Sequence, residues 1–330
     1  NLSIDSVQND QAAIWVLGLG TTLGIVVMAL VQGIAVFRHG MRFTFAPRFA
    51  HPAVKKLVQL SLWTLGYVAA NQVALVVIKN LASPGSGGVD AYSKAFVLLQ
   101  LPHGLLAVSI ATTFVPELAR MFHRGDHQQF SQSMASGIRL TALLTIPSSC
   151  ALWVMSKPII GLLFQHGNFS AAATENTARA LSGLAIGLAG FSIYLFVLRG
   201  FYARNDTRTP FFINDGENAI NIVLAIVLVD RHGVFGLGLA FSIAYLVSAL
   251  VALLVLESSE VDIKLSELAF NIVRISLAAG AMTCAVWFAI QYIGSDAGLG
   301  ALTRVLVGTL IGTSVYAVAL DVLGEKTIRV

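Results

Sequence analysis

The chain has 330 residues, of which 56% are hydrophobic and 12% charged, and its formal charge is +4. A water-soluble domain carries about 25% charged residues, so this chain lacks the polar groups to cover a water-facing surface, and lipid is its solvent. There is no basic stripe with interleaved aromatics, which argues against nucleic acid, and no Ser–His–Asp, paired-carboxylate or phosphate-loop pattern that would point to an enzyme.

The first residue is Asn1, with no methionine and no signal-peptide pattern, so the expectation is a chain whose natural beginning lies upstream. A helix needs about 20 apolar residues to cross the hydrocarbon core. Nine stretches qualify: 12–37, 57–79, 91–115, 132–156, 178–199, 210–229, 234–256, 269–292 and 301–323. None alternates as barrel strands do, and lipid forces backbone groups to pair internally. The expected fold is therefore all-α, a multipass transmembrane bundle of about nine spans. Three divisions are expected. Residues 1–56 hold one helix and a basic, proline-broken connector (38–56), 57–256 a six-helix lobe, and 257–330 a terminal helix pair.

Several spans carry helix breakers. Pro102 and Gly104 interrupt the third span, Pro147 the fourth, and Gly183, Gly187 and Gly190 the fifth. Interior prolines kink helices, so Pro102 and Pro147 are the expected kinks; for the glycines, close helix packing is the competing explanation. Cys150 and Cys284 lie in apolar runs and read as buried free thiols. His123 and His127 lack a third ligand, so no metal centre is expected.

Lysine and arginine placement sets orientation. If the loop after the first span is cytoplasmic, that side holds Arg38, Arg42, Arg48, Lys55, Lys56, Arg120, Arg124, Arg199, Arg204, Arg208, Lys264, Lys326 and Arg329. The other side holds Lys79, Lys157 and Arg231. The chain start is thus expected outside and its end in the cytoplasm.

Ionisable and amide groups inside spans are the default functional candidates. The sixth span holds Asn214, Asp215, Glu217, Asn218 and Asn221; the three asparagines share one helical face. Either the two acids enter a wet cavity, or the span begins later and they lie at headgroup level. Asn71 and Gln72 sit mid-span in the second helix, where interhelical hydrogen bonding competes with substrate contact. Lys94 either snorkels to the interface or meets an anionic substrate, and Gln100 follows it six residues later. Arg139, Arg179, Arg274 and Arg304 lie near span ends and read as snorkelling.

The segment FYARNDTRTP (201–210) holds Tyr202, Arg204, Asp206, Thr207, Arg208, Thr209 and Pro210 in a loop between spans. It resembles the loop signature of the MurJ/MviN lipid II flippases, roughly F-Y-A-R-x-D-T-x-T-P. LPHGLLAVSIATTFVPELAR (101–120) and GLLFQHGNFS (161–170) resemble two further blocks of that family, in the same order. The stretch AYSKAFVLLQLP, with Ser93, Leu98, Leu99 and Gln100, looks like actinobacterial members. By this resemblance the nine spans correspond to the sixth to fourteenth of the family's fourteen helices, and the first five are missing from the chain.

The resemblance implies a MATE-like (MOP superfamily) fold in the bacterial plasma membrane. It implies alternating-access flipping of lipid II, an undecaprenyl- or decaprenyl-type pyrophosphate glycopeptide. The competing activities are export of another polyprenyl-linked glycan, cation-coupled drug export, or a non-transport scaffold for cell-wall synthesis proteins. The implied cavity set is Asn71, Gln72, Lys94, Gln100, Asp215, Glu217, Asn218 and Asn221, with membrane lipids as neighbours. The coupling cation, if one is used, would be sodium or a proton; no other cofactor is expected. Two positions depart from the family. Val97 stands where many members carry an arginine, with Lys94 one turn away. Ala225 stands one turn past Asn221, where a cation-binding side chain would be expected.

Overall fold

The computed structural model describes residues 11–38, 52–82, 87–258 and 262–324. Every regular element in these residues is helical. In chain order they are α1 (Gln11–Arg38), α2 (Pro52–Leu81), α3 (Gly88–Pro102), a π-helical turn (His103–Ala107) and α4 (Val108–His123). There follow α5 (His127–Val154), α6 (Ser156–Phe164), α7 (Ala171–Ala185), α8 (Leu188–Ala203), α9 (Arg208–His232), α10 (Val234–Ser258), α11 (Leu265–Tyr292) and α12 (Gly298–Val322). Eight helical segments are long and apolar enough to span a membrane, and counting the bent pair α7–α8 as one span gives nine.

The chain divides into two units, residues 1–56 and 57–330. In the first, α1 is a 28-residue apolar helix whose large side chains, Trp15 and Leu23 among them, are exposed. Most of the basic connector, residues 39–51, lies outside the described residues.

In the second unit the helices bury one face and turn an apolar face outward, as a bundle in lipid does. Tyr194, Phe130, Phe196 and Phe201 fill the interior, whereas Val223, Ile226, Leu250, Leu254, Phe270 and Leu277 are exposed. The terminal pair packs on this core: α11 lies against α5, and α12 against α6. Tyr316 of α12 also donates to the Leu143 carbonyl of α5 at 2.7 Å.

Local chemistry sets the helix ends. Asp126 accepts from the Gln129 amide at the start of α5, and Ser170 accepts from the Ala173 amide at the start of α7; such caps satisfy orphan amides of a first turn. Only Gly233 separates α9 from α10. Its φ of 58° with ψ of −137° suits a residue without Cβ, so the two helices reverse direction over a single residue.

The glycines of the fifth span serve close packing. A Cβ on Gly183 would lie 2.5 Å from the Phe235 carbonyl oxygen, and one on Gly187 would lie 2.5 Å from Ser242 Cα. The span is also bent by 47° at the α7–α8 break. The break leaves carbonyls without helical partners, and side chains supply them. Ser242 donates to the Gly183 carbonyl at 2.6 Å, and Ser149 donates to the Ala185 carbonyl. Packing and bending therefore coexist where the sequence offered them as alternatives.

Pro102 leads directly into the π-helical turn, where His103 Nδ1 meets Ser192 Oγ at 3.0 Å. A proline removes one backbone donor from the ladder, and the wider turn accommodates the loss. Pro147 lies inside α5, which continues as α-helix on both sides of it. Both cysteines are free, but Cys284 is exposed on α11 and Cys150 is half-buried. This corrects the expectation of two buried thiols: an apolar run in a membrane helix faces lipid as readily as protein.

At the end of the bundle opposite the FYARNDTRTP loop, Lys157 Nζ meets Glu175 at 3.1 Å and Asp296 at 3.6 Å. Arg304 pairs with the same Asp296 and donates to the Ile293 carbonyl at 2.7 Å. This network ties α6, α7 and the α11–α12 connection together, so Arg304 has a structural partner rather than simply snorkelling.

Candidate functional site

The polar face of α9 forms the candidate site. Counting 100° per residue, Asn214, Glu217, Asn218 and Asn221 fall within one sector and Asp215 outside it. The structure follows that geometry. Asn214 is 0% exposed, Glu217 1%, Asn218 5% and Asn221 6%, while Asp215 is exposed. Of the two acids expected in a cavity, one is inside.

These groups border a cavity of about 110 Å³ between α2, α3, α9 and α10. Its polar lining is Asn71, Tyr92, Glu217, Asn218, Asn221 and Tyr245; the rest is aliphatic or phenylalanine. An amide relay braces one wall. Asn71 Nδ2 donates to the Tyr67 carbonyl at 2.8 Å and to Asn214 Oδ1 at 3.2 Å. Asn218 Nδ2 donates to the Asn214 carbonyl at 2.8 Å. The relay joins α2 to α9, beside the contact of Phe211 with Gly66 and Trp63.

The chamber itself is under-satisfied. Both carboxylate oxygens of Glu217 and Oδ1 of Asn221 are buried without a hydrogen bond. The Tyr245 phenol approaches Glu217 without reaching hydrogen-bond geometry. Among the described residues, no lysine, arginine or histidine lines the cavity. An uncompensated carboxylate inside a protein costs several kcal/mol. Glu217 therefore needs a proton, a small cation or water to be tolerated there. Since liquid water takes about 30 Å³ per molecule, the chamber holds a few waters or one partly hydrated ion. It is far below the roughly 300–1,000 Å³ of a ligand pocket and cannot enclose a glycopeptide headgroup. Among the described residues, no three His, Cys, Asp or Glu side chains converge as a metal site would require; one carboxylate among amides suits a proton or an alkali cation.

The other expected cavity residues lie elsewhere. Gln72 and Gln100 are exposed on α2 and α3. Lys94 pairs with Asp90 one turn back and lies 5.5 Å from the Phe169 ring centroid, outside the chamber. Sequence reasoning missed the phenols of Tyr92 and Tyr245, because a tyrosine in an apolar helix reads as core.

The FYARNDTRTP loop is a braced turn. Asp206 Oδ1 accepts from the amides of Arg208 and Thr209 at 3.0 Å each, capping α9. Asn205 adopts φ 60°, in the left-handed region that asparagine tolerates. The Arg204 guanidinium lies 5.8 Å from the Phe122 ring, and that of Arg208 5.7 Å from Trp63. Pro210 is buried, Tyr202 and Thr207 are half-buried, and no residue of the loop lines the chamber.

Comparison with known proteins gives a consistent set of likenesses. A family model described as "Lipid II flippase MurJ" matches residues 2–308. A "Probable lipid II flippase MurJ" of Rhizobium meliloti (strain 1021) is 31% identical over 297 residues, covering 90% of this chain and 55% of the relative. A protein of the same description from Vibrio cholerae serotype O1 is 28% identical over 314 residues, covering 94% of this chain and 60% of the relative. The chain thus spans little more than half the length of these curated relatives. A solved structure of "Lipid II flippase MurJ, inward closed conformation" superposes with a TM-score of 0.72 at 24% identity, covering 96% of this chain and 65% of that one. An outward-facing multidrug transporter of the MATE family gives 0.56 at 18% identity, over 81% of this chain and 64% of that one. These two superpositions bear on the fold, an all-α multipass bundle of the MATE-like type.

Proposed function

The chain belongs to the MurJ lipid II flippase family, whose model matches residues 2–308, and on that premise we propose that it serves in moving lipid II across the bacterial plasma membrane by alternating access. Transporters of this kind present a site near the bilayer midplane to each side in turn. The observation that carries the reading is the α9 chamber, where Glu217 and Asn221 hold three buried oxygens without hydrogen bonds. A transporter needs an element whose two states differ in free energy with the occupancy of a site, and an unsatisfied carboxylate on a span is such an element.

The coupling ion we assign to this chamber is a proton or sodium. Glu217 would hold it by carboxylate and Asn221 by Oδ1, with Asn71 and Asn218 beside them. When bound, it supplies the positive charge that offsets Glu217. The chain's own residues do the rest. The Asn71–Asn214–Asn218 relay links the chamber to α2, so a change at Glu217 alters how α2 sits on α9. This assignment places the carboxylate one turn before Asn221, whereas Ala225 lies one turn after it.

The headgroup lies outside the chamber in this reading. Exposed amides in mid-span are costly against acyl chains, so the faces bearing Gln72 and Gln100 border the polar substrate path. Lys94 would meet the substrate at the outer rim, and Asp215 would act at the inner gate. The braced loop with Arg204, Asp206 and Arg208 faces the cytoplasm and holds the register of α8 and α9.

The test is leaflet accessibility of lipid II in cells depleted of their own flippase and supplied with the full-length protein. The reading expects lipid II to become accessible from outside. Lipid II that stays protected, with the protein present in the membrane, would overturn it.

A further inference from the structure

α8 packs against α4, α5 and α10, and of its 16 residues only Arg199 is exposed. A helix face turned to acyl chains shows large apolar side chains over several turns, as α10 does with Leu246, Leu250 and Leu254. α8 exposes no large apolar side chain. Its one opening is therefore not a lipid-facing face; the helix reaches the surface at a cation. Arg199 forms no ion pair and no hydrogen bond through its side chain among the described residues. The acid nearest in sequence, Asp206, is taken up by the amides of Arg208 and Thr209. Tyr202 follows Arg199 by three residues and is half-buried; residues three apart are neighbours on a helix surface. Its hydroxyl likewise has no hydrogen-bond partner among the described residues. Two unengaged donors thus stand side by side at the opening.

A polar track leads from this opening into the span. Ser192 lies seven residues before Arg199, within about 20° of the same face and about 10.5 Å deeper. Ser192 Oγ meets His103 Nδ1 at 3.0 Å, and the half-buried His103 ring lies 4.6 Å from that of Phe191. Gly104, beside His103, is exposed and has open space where a Cβ would stand. One turn further out on α3 is the exposed Gln100. Tyr202, Arg199, His103 and Gln100 thus succeed one another from the end of α8 toward mid-span. The depth of the first pair is informative. Arg199 lies four residues, about 6 Å, inside the end of α8. The headgroup layer is about 5–7 Å thick on each side of the hydrocarbon. The guanidinium therefore stands at the level of a bilayer lipid's phosphate.

We propose that Arg199 and Tyr202 receive the phosphate of the transported lipid at the cytoplasmic entrance, as the first contact of the track through His103 to Gln100. The assignment rests on the transport reading and on the cytoplasmic placement of the FYARNDTRTP loop. A guanidinium takes two phosphate oxygens through parallel N–H bonds, and the Tyr202 hydroxyl donates to a third. Depth selects the phosphate over a carboxylate of the substrate. With the tail in the acyl chains, the phosphate stands at the boundary, and the sugars and peptide project beyond it. Ordinary phospholipids carry the same group at the same depth. Their small headgroups do not reach His103, two turns away, whereas a glycan does.

The test uses purified full-length protein in detergent, titrated with undecaprenyl pyrophosphate and read by native mass spectrometry, with undecaprenol and dioleoylphosphatidylglycerol as comparisons. The wild type is expected to bind the pyrophosphate roughly tenfold more tightly than either. Arg199→Gln is expected to lose roughly that factor, the share of one charge-assisted contact, while melting like wild type. Arg199→Lys is expected to keep part of the binding, and Tyr202→Phe to lose about threefold. Should the glutamine variant fail to fold, labelling of the wild type decides. Phenylglyoxal modification of Arg199, read by peptide mass spectrometry, is expected to slow with undecaprenyl pyrophosphate and not with undecaprenol. Labelling that does not slow overturns the proposal, as does a folded Arg199→Gln variant that binds like wild type. Phosphatidylglycerol that binds and protects as well as the pyrophosphate would assign the site to ordinary membrane lipid and overturn the substrate assignment. None of these readouts is translocation. Failure here in a protein that moves lipid II leaves the transport reading standing, whereas wild-type protein that does not move lipid II sinks that reading itself.

Discussion

Replacing Glu217 with glutamine should stabilise the protein while impairing its transport. The wild-type carboxylate is 1% exposed, and neither oxygen has a hydrogen bond. A buried charge without a partner costs several kcal/mol, whereas an unsatisfied amide of the same shape costs about 1–3 kcal/mol. The difference predicts that Glu217→Gln gains up to about 3 kcal/mol of stability where the side chain is charged and empty of ligand. Where a proton or cation already offsets the carboxylate, the gain shrinks toward zero. In neither case does a large loss follow. The assay is unfolding of the full-length protein in mixed micelles, followed by tryptophan fluorescence, with sodium or potassium as the salt. If sodium is the ligand, it should raise the wild-type midpoint and leave that of Glu217→Gln unmoved. A loss of more than about 2 kcal/mol in the variant would show that Glu217 makes a strong attractive contact and would refute the argument.

Other expectations follow from the packing and the loop. Gly187→Val should destabilise by more than about 2 kcal/mol, because even a Cβ lies 2.5 Å from Ser242 Cα. Gly280→Ala, with nothing within 4 Å of its Cβ, should be neutral or stabilise by up to about 1 kcal/mol; the same unfolding assay compares the two. Asp206→Ala should cost about 1 kcal/mol through the lost cap of α9, and Asp206→Asn much less. The hydrogen bond from Lys157 to Glu175, and then their attraction, raises the Lys157 pKa above its ordinary value. A raised folded-state value means that the tie stabilises at neutral pH and fades as pH climbs through and beyond the ordinary lysine range. Wild type and Lys157→Met should therefore differ slightly at pH 7, since both partners are half exposed, and converge at strongly alkaline pH.

Much of the fold was legible because lipid imposes a simple rule: long apolar runs become spans, and their breaks become loops or bends. The nine stretches, the Gly183–Gly187–Gly190 series and the Pro102 interruption all acquired structural counterparts. The α9 polar face was legible from periodicity alone. The same periodicity excludes Asp215, which was grouped with Glu217 by nearness in sequence although two residues apart on a helix means opposite sides. Asn71 and Gln72, adjacent in sequence, are about 100° apart on a helix, enough to leave one half-buried and the other exposed. Tyr92 and Tyr245 were not legible, since their phenols matter only because α3 and α10 bring them to α9.

The most direct measurement is lipid II translocation in vesicles holding the full-length protein and fluorescent lipid II, with quenching from outside as the readout. Wild-type protein should expose the inner-leaflet pool, and Glu217→Gln should slow this roughly tenfold or more, as loss of an ion-coupled element should. Wild-type vesicles no faster than empty ones, or a Glu217→Gln variant as fast as wild type, would contradict it.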